Sequence, residues 1–297
     1  MKRLLAALLL GTVPFVALAV DKAPKRAAKV SNADFTKDGE PNIHSSGALV
    51  FDPNTGQTLF AKNADQVAPI ASITKLMTAM VVLDAKLPME EAIELTNEDI
   101  DLLKNTRSRL PIGSHFRRDD LLRLALMASD NRAASALGRN YPGGIAAFVP
   151  AMNAKALALG LTQTHYVDSS GLSPANVSSP QDLARLVAAA AQYPLIKEYT
   201  TTGEVNVTLP NSTRKISFVN TNTLVRNSDW EIGLSKTGYI NEAGKCLVMQ
   251  AKISNQPVVI VLLDSWGRLT RVGDANRIKK WLEKNPGKLA GTQFHPG

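Results

Sequence analysis

Apolar residues fall in short strand-like runs at both ends of the chain and recur at helical spacing through its middle. Ala48-Leu49-Val50-Phe51 and Gln57-Thr58-Leu59-Phe60 flank Asp52-Pro53-Asn54-Thr55-Gly56, a run of turn formers, and predict a β-hairpin. From Ala71 to about Ala85, the positions Ile73, Leu76, Met77, Met80 and Leu83 share one helical face. Further helical periodicity spans 119–139, 144–159 and 180–192, several of these runs being closed by Gly or Pro. After Pro194 the pattern turns to strands: Val205 to Leu209, then Lys215 to Val219 across Pro210-Asn211-Ser212, then Gly233 to Ile240, Lys245 to Ile253 and Pro257 to Leu263. A helix over about 271–283 closes the series. Strands at both ends with helices between predict an α+β fold, with one antiparallel sheet of about five strands completed by distant segments and flanked by helices. The helical lobe is then an insertion packed on that sheet, and a cleft is expected at the junction. No internal repeat interrupts this plan.

The ends differ from the body. Lys2 and Arg3 precede an apolar run from Leu4 to Val16, and Ala17-Leu18-Ala19 supplies the small residues of a cleavage site. This predicts an export signal removed near Ala19; the alternative, a retained anchor, is disfavoured because the run contains Gly11 and Pro14 and is shorter than the ~20 residues that cross a bilayer. Residues 20–44 are polar and lysine-rich and read as a flexible leader, 45–285 as one domain, and 286–297 as a tail. An exported, periplasmic location follows, with no stable membrane anchor once the signal is gone.

With 297 residues, 44% of them hydrophobic, the chain has ample material for a packed core, and disorder or a low-complexity fibre is excluded. Its single cysteine, Cys246, forbids an internal disulfide and sits in an apolar alternating run, as a buried strand residue would. The formal charge of +8, less Lys2 and Arg3 after processing, comes from scattered residues without the basic stripe of a nucleic-acid binder. His44, His115, His165 and His295 show no metal-ligand spacing, so no metal is expected.

Ser72 and Lys75 lie three apart at the start of the predicted 71–85 helix, hence on one face about one turn apart. A serine hydroxyl becomes a nucleophile when a base takes its proton, and a lysine serves as that base once burial or a neighbouring cation lowers its pKa. The helix N-terminus adds positive potential for an oxyanion. Alone the pattern is weak: a capping serine with a solvated lysine fits it too, and Ser212 with Lys215 repeats it in a turn entering a strand, where residues three apart face opposite ways. Two further triplets change the weight. Ser129-Asp130-Asn131 is the only S-x-N after Ser72, and Lys236-Thr237-Gly238 the only K-[ST]-G. Taken singly, the first could be a turn between helices and the second an exposed strand edge.

Together, in this order, the three triplets match the set used by class A β-lactamases and penicillin-binding proteins. The chain resembles the serine D,D-peptidases of peptidoglycan, the low-molecular-mass penicillin-binding proteins, through Pro69-Ile70-Ala71-Ser72-Ile73-Thr74-Lys75-Leu76-Met77-Thr78, Asp168-Ser169-Ser170-Gly171-Leu172 and Leu234-Ser235-Lys236-Thr237-Gly238. The resemblance covers about residues 45–285 and implies a β-lactamase/D,D-peptidase-like fold. It also implies roles: Ser72 attacks a D-alanyl carbonyl, a neutral Lys75 takes its proton, and Ser129 passes a proton to the leaving amine. Asn131 holds a substrate amide, and Lys236 and Thr237 bind the substrate carboxylate while the Lys236 ammonium helps keep Lys75 neutral. Gly238 lets the substrate backbone approach, and the N–H groups of Ser72 and Tyr239 form the oxyanion hole. No cofactor is implied; the partners are peptidoglycan cross-links and β-lactams acting as acylating inhibitors.

Three alternatives remain at this level. A β-lactamase would need a water-activating glutamate after Ser129-Asp130-Asn131, but no glutamate lies between Glu98 and Glu198; Asp168 is a poor substitute and reads rather as a loop anchor. A wall-binding or penicillin-sensing module would have no need of the Ser72 and Lys75 pair. D,D-carboxypeptidases of this family continue into a second β-rich domain and a C-terminal anchor, whereas the residues after Trp281 are few and polar, which favours cross-link cleavage.

Overall fold

The computed structural model describes residues 33–209 and 213–289. The export signal, most of the leader, the Pro210-Asn211-Ser212 turn and the final residues therefore lie outside the described residues. In chain order the elements are β1 (Gly47–Phe51), β2 (Thr58–Lys62), β3 (Ala68–Pro69), a 3-10 turn (Ala71–Ile73), α1 (Thr74–Asp84), β4 (Ala92–Glu94), β5 (His115–Arg117), α2 (Arg118–Met127), α3 (Asn131–Arg139), α4 (Gly144–Ala158), β6 (Val177–Ser178), α5 (Pro180–Ala190), α6 (Pro194–Thr201), β7 (Glu204–Thr208), β8 (Lys215–Val219), β9 (Glu231–Ile240), β10 (Gly244–Ile253), β11 (Gln256–Ser265) and α7 (Thr270–Lys284). The fold is α+β. Its main sheet has five antiparallel strands in the order β2-β1-β11-β10-β9, so the hairpin at one end of the sequence pairs with the strands at the other, Gly47 opposite Leu263.

Side chains along these strands separate by face with a period of two. Leu49, Cys246, Val248, Val259, Val261 and Leu263 pack with α1, α2 and α5 in one core. Ala48, Val50, Leu247, Met249, Ile260 and Leu262 pack with Ile278 and Trp281 of α7 in the other. Burial on both faces is why β10 and β11 read as continuous apolar runs rather than alternating ones. Cys246 is fully buried, and burial pushes its thiol up to about 11, so it is an inert core residue.

Four expectations need correction. The 119–139 run is two helices, because Ser129 adopts a φ of 60° and Asp130 caps a new helix by accepting from Ala133 N at 2.9 Å. Pro194 does not end the helical lobe; it occupies the first turn of α6, where its missing N–H costs nothing. β7 and β8 pair only with each other, as a separate two-stranded ribbon outside the main sheet. The described part of the leader is seated on the fold: Ile43 is buried, His44 N and Ser45 N donate to the two carboxylate oxygens of buried Asp274, and Lys280 pairs with Asp34 at 2.9 Å. Among the described residues no helix is long and apolar enough to cross a membrane.

Candidate active site

Ser72 stands in the 3-10 turn that precedes α1 and takes the place of the first turn of the expected 71–85 helix. The turn is fixed from both sides. Ile70 N donates to Asn176 O at 3.1 Å, and Thr74 Oγ1 donates to Ala71 O at 2.8 Å. Ala71 itself has a φ of 48°, a left-handed conformation that a β-carbon makes unfavourable, so the surroundings must hold it. Gly171 does this by contact: a Cβ there would fall 1.9 Å from Ala71 O. Ser72 remains partly exposed, whereas Lys75, one turn on, is 1% exposed.

Lys75 Nζ has three close neighbours: Ser72 Oγ at 2.8 Å, Asn131 Oδ1 at 2.7 Å and Ser170 O at 2.6 Å. The network assigns the Asn131 amide. Thr106 Oγ1 donates to Asp101 Oδ2, which leaves it to accept from Asn131 Nδ2 at 2.9 Å and turns the Asn131 oxygen toward Lys75. Two of the three neighbours are therefore pure acceptors. A neutral lysine has two N–H bonds and one lone pair; with both N–H bonds given to Asn131 and Ser170, the lone pair faces the hydroxyl of Ser72. Burial pulls the Lys75 ammonium down to about 7, against the upward pull of Asp168, Asp130 and Asp101. The neutral base is thus accessible near neutral pH.

The second triplet forms the opposite side. Ser129, at the break between α2 and α3, puts its Oγ 2.8 Å from Lys236 Nζ on β9. Lys236 is as buried as Lys75, and its other partner is Thr237 O at 3.0 Å; a hydroxyl and a carbonyl supply no counter-charge. Burial, then the charges of Lys75 and Arg271, hold its ammonium well below the usual lysine range. A ligand carboxylate at this point would supply the missing charge and restore the cation. Thr237 Oγ1 donates to Thr221 Oγ1 at 2.6 Å.

Gly238 shows a use of glycine that the motif alone does not reveal. A Cβ there would sit 2.8 Å from Ile70 O and 3.2 Å from Ser72 N, so the space is filled by the backbone of the Ser72 turn. This close approach brings β9 against the Ser72 turn and sets Tyr239 next to it. The Tyr239 ring is 56% exposed, with Lys245 Nζ 4.8 Å from its centre. Asp168 spends both oxygens on its own loop: Oδ1 accepts from Ser170 N, Ser170 Oγ and Gly171 N, and Oδ2 from Ser173 N and Asn176 Nδ2. Lys215 of the decoy pair lies on β8, in the separate ribbon, and Ser212 is outside the described residues.

The eight sequence-selected residues thus converge, and the structure adds partners whose part in the site no residue type announces. Ser170 acts through a backbone carbonyl, which carries no residue signature. Thr221 and Thr106 act through hydroxyls far from the triplets along the chain.

A family model described as D-alanyl-D-alanine carboxypeptidase matches residues 34–266. Over 260 residues the chain is 49% identical to the D-alanyl-D-alanine endopeptidase of Pseudomonas aeruginosa, spanning 86% of this chain and 84% of that one. It is 46% identical over 266 residues to the D-alanyl-D-alanine endopeptidase of Escherichia coli K12, spanning 90% and 85%. Among solved structures, the Streptomyces K15 DD-transpeptidase superposes with a TM-score of 0.76 at 28% identity, over 81% of this chain and 97% of that chain. Penicillin-binding protein D2 of Listeria monocytogenes, solved in its ampicillin-bound form, superposes with a TM-score of 0.68 at 30% identity, over 80% and 97%. These likenesses agree with the resemblance carried by the three triplets.

Proposed function

The chain belongs to the D-alanyl-D-alanine carboxypeptidase family of serine peptidases, and on that premise we propose that it cuts D-alanyl cross-links of peptidoglycan in the periplasm through a Ser72 acyl-enzyme. The observation that carries the reading is the placement of a buried, deprotonable Lys75 amine 2.8 Å from Ser72 Oγ, with two pure acceptors as its other neighbours.

In this reading Ser72 Oγ attacks the carbonyl carbon of the D-alanyl residue as Lys75 Nζ takes its proton. The oxyanion is met by the N–H groups of Ser72 and of Tyr239, the residue after Gly238, a reading supported by the close packing of Gly238 against Ser72 N. The C–N bond then breaks, and the proton taken from Ser72 reaches the leaving amine by way of the Ser129 hydroxyl. Lys236 and Thr237 hold the carboxylate on the leaving side, while Asn131 orients an amide of the acyl side. Water completes the cycle by hydrolysing the ester. β-Lactams enter by the same attack; because both Asp168 oxygens already accept hydrogen bonds, it is a poor base for a deacylating water, and a penicilloyl ester should persist. Within the chain, residues 45–285 would form the peptidase domain after removal of an export signal near Ala19.

Support for an endopeptidase over a carboxypeptidase comes from the relatives at 49% and 46% identity. Mass spectrometry of purified cross-linked muropeptide dimers, incubated with the enzyme and with Ser72→Ala, tests it. Release of monomers that Ser72→Ala abolishes is expected. Loss of a single terminal alanine would replace the endopeptidase reading with a carboxypeptidase, and labelling by penicillin without any cleavage would overturn both.

A further inference from the structure

Removal of a terminal D-alanine and cleavage of a cross-link differ in what leaves. In the first, the leaving group ends at the carboxylate held by Lys236 and Thr237; in the second, a whole acceptor stem continues past it. On the function proposed above, a surface that meets this continuation serves a cross-linked substrate alone.

Such a surface lies beside the carboxylate clamp. Thr237 Oγ1 donates to Thr221 Oγ1 at 2.6 Å, and Thr221 stands two residues beyond the end of β8. A groove of about 520 Å3 borders β8, with Arg109 and Pro111 on one side and Leu209, Arg214, Lys215 and Ile216 on the other. Both walls are fastened to the turn that carries Ser129: Ser108 Oγ donates to Asp130 Oδ2 at 2.8 Å, and Thr221 N donates to Met127 O at 3.0 Å. Arg109 joins the walls, since its Nη1 donates to Ser217 O at 2.6 Å and its guanidinium lies 4.0 Å from the centre of the Phe218 ring. At about 3.3 Å per extended residue, Lys215 is at most about 20 Å along the chain from Thr221, a span that a stem of a few residues linked through a long side chain can approach.

The charge of the groove points to its ligand. Its charged lining residues are all cations, Arg109, Arg214 and Lys215, and the last two are exposed. Leu209 N donates to Arg214 O at 2.9 Å, which ties the two ends of the ribbon together beneath these cations. Glu204 on β7 is engaged by Ser217 Oγ at 2.5 Å. Leu209 and Ile216 pack on the core and give the groove an apolar floor. An acceptor stem enters a cross-link through a side-chain amine, so its own C-terminal carboxylate stays free. We propose that this groove is the subsite for the acceptor stem of a cross-link, and that Arg109, Arg214 and Lys215 take its free C-terminal carboxylate.

The test uses two soluble cross-linked peptide dimers that share one donor stem and differ only at the C-terminus of the acceptor stem, a free carboxylate in one and a carboxamide in the other. The readout is the ratio of kcat/KM between them, in which any general loss of activity cancels. The wild-type enzyme is expected to prefer the free acid by about 5-fold, the upper end of what partly exposed charge pairs supply, and the preference should shrink as salt is added. Lys215→Gln should lower the ratio, and Arg214→Gln combined with it should bring the ratio most of the way to unity. A wild-type ratio near unity, or one that the double variant leaves unchanged, would overturn the subsite while leaving the peptidase assignment intact. Failure of the wild-type enzyme to cut either dimer while penicillin still labels Ser72 would instead overturn the endopeptidase reading and the subsite with it.

Discussion

Two loops border the Ser72–Lys75 pair, each built round one aspartate, and they are put to opposite uses. The Asp168 loop turns inward. Its carboxylate gathers the N–H groups of Ser170, Gly171 and Ser173, and the ordered backbone then presents Ser170 O to Lys75 and Ser169 O to Thr78 Oγ1 at 2.6 Å. The Asp101 loop turns outward. Its carboxylate gathers Leu103 N, Lys104 N and Thr106 N in the same way, but what it displays are the side chains of Leu102, Leu103 and Lys104. Similar local hydrogen bonding thus yields a fixed wall in one place and a row of exposed side chains in the other. The difference lies in what the backbone faces: a packed helix in the first case, water in the second.

Gly171→Ala should break the contrast most severely. The new β-carbon would collide with Ala71 O at a φ of 81°, so the Ser72 turn must shift. A loss on the order of 3 kcal/mol in unfolding free energy is expected, with near-complete loss of labelling by a fluorescent penicillin. Asp168→Asn should follow, because an amide nitrogen would then face donors where an oxygen now accepts; thermal or denaturant unfolding should register a loss of about 2 kcal/mol. Asp101→Asn, with the same chemistry on the exposed loop, should cost about 1 kcal/mol at neutral pH. Burial works against the Asp101 carboxylate, but the hydrogen bonds from Thr106, Lys104 and Leu103 outweigh it and hold its carboxyl below the usual range. The stability it supplies is present above that range and is lost as pH falls through the lowered value. The gap between wild type and Asp101→Asn should therefore close in acid, and a gap independent of pH would contradict the assignment.

A smaller and sharper effect concerns Lys75. Only its neutral form can accept the Ser72 proton, so the rate of penicillin acylation should rise with pH, pass a midpoint near about 7 and level off above it. Asp168 and Asp101 both raise this value, Asp168 more. Removing either charge should move the midpoint to lower pH, and stopped-flow acylation profiles should show a larger shift for Asp168→Asn than for Asp101→Asn. The reverse order would mean that the inward loop does not govern the base.

The sequence carried most of the framework and the polar triplets because both are written in residue type. Short apolar runs located the hairpin and β9 to β11, and S-x-x-K, S-x-N and K-T-G named the groups that meet in the cleft. What escaped was written in the backbone. The break at Ser129 lies inside a continuous apolar periodicity and depends on a single left-handed residue. Pro194 starts a helix rather than ending the helical lobe, and periodicity alone does not separate these uses. The pairing of β7 with β8, away from the main sheet, is a matter of tertiary placement that two short alternating runs cannot announce. Ser170 O and the Lys104–Glu242 contact are likewise invisible along the chain, one being a carbonyl and the other joining two ordinary charged residues.

The pairing of Gly47 with Leu263 has a kinetic corollary. The central sheet cannot close while the chain is still being made, because the strand that receives the first hairpin is among the last to be synthesised. Such long-range closure slows folding, since the loop entropy must be met before the pairing rewards it. The main sheet of a nascent chain therefore stays unclosed until the final third of the sequence is complete, although the helices between its two halves can form before that.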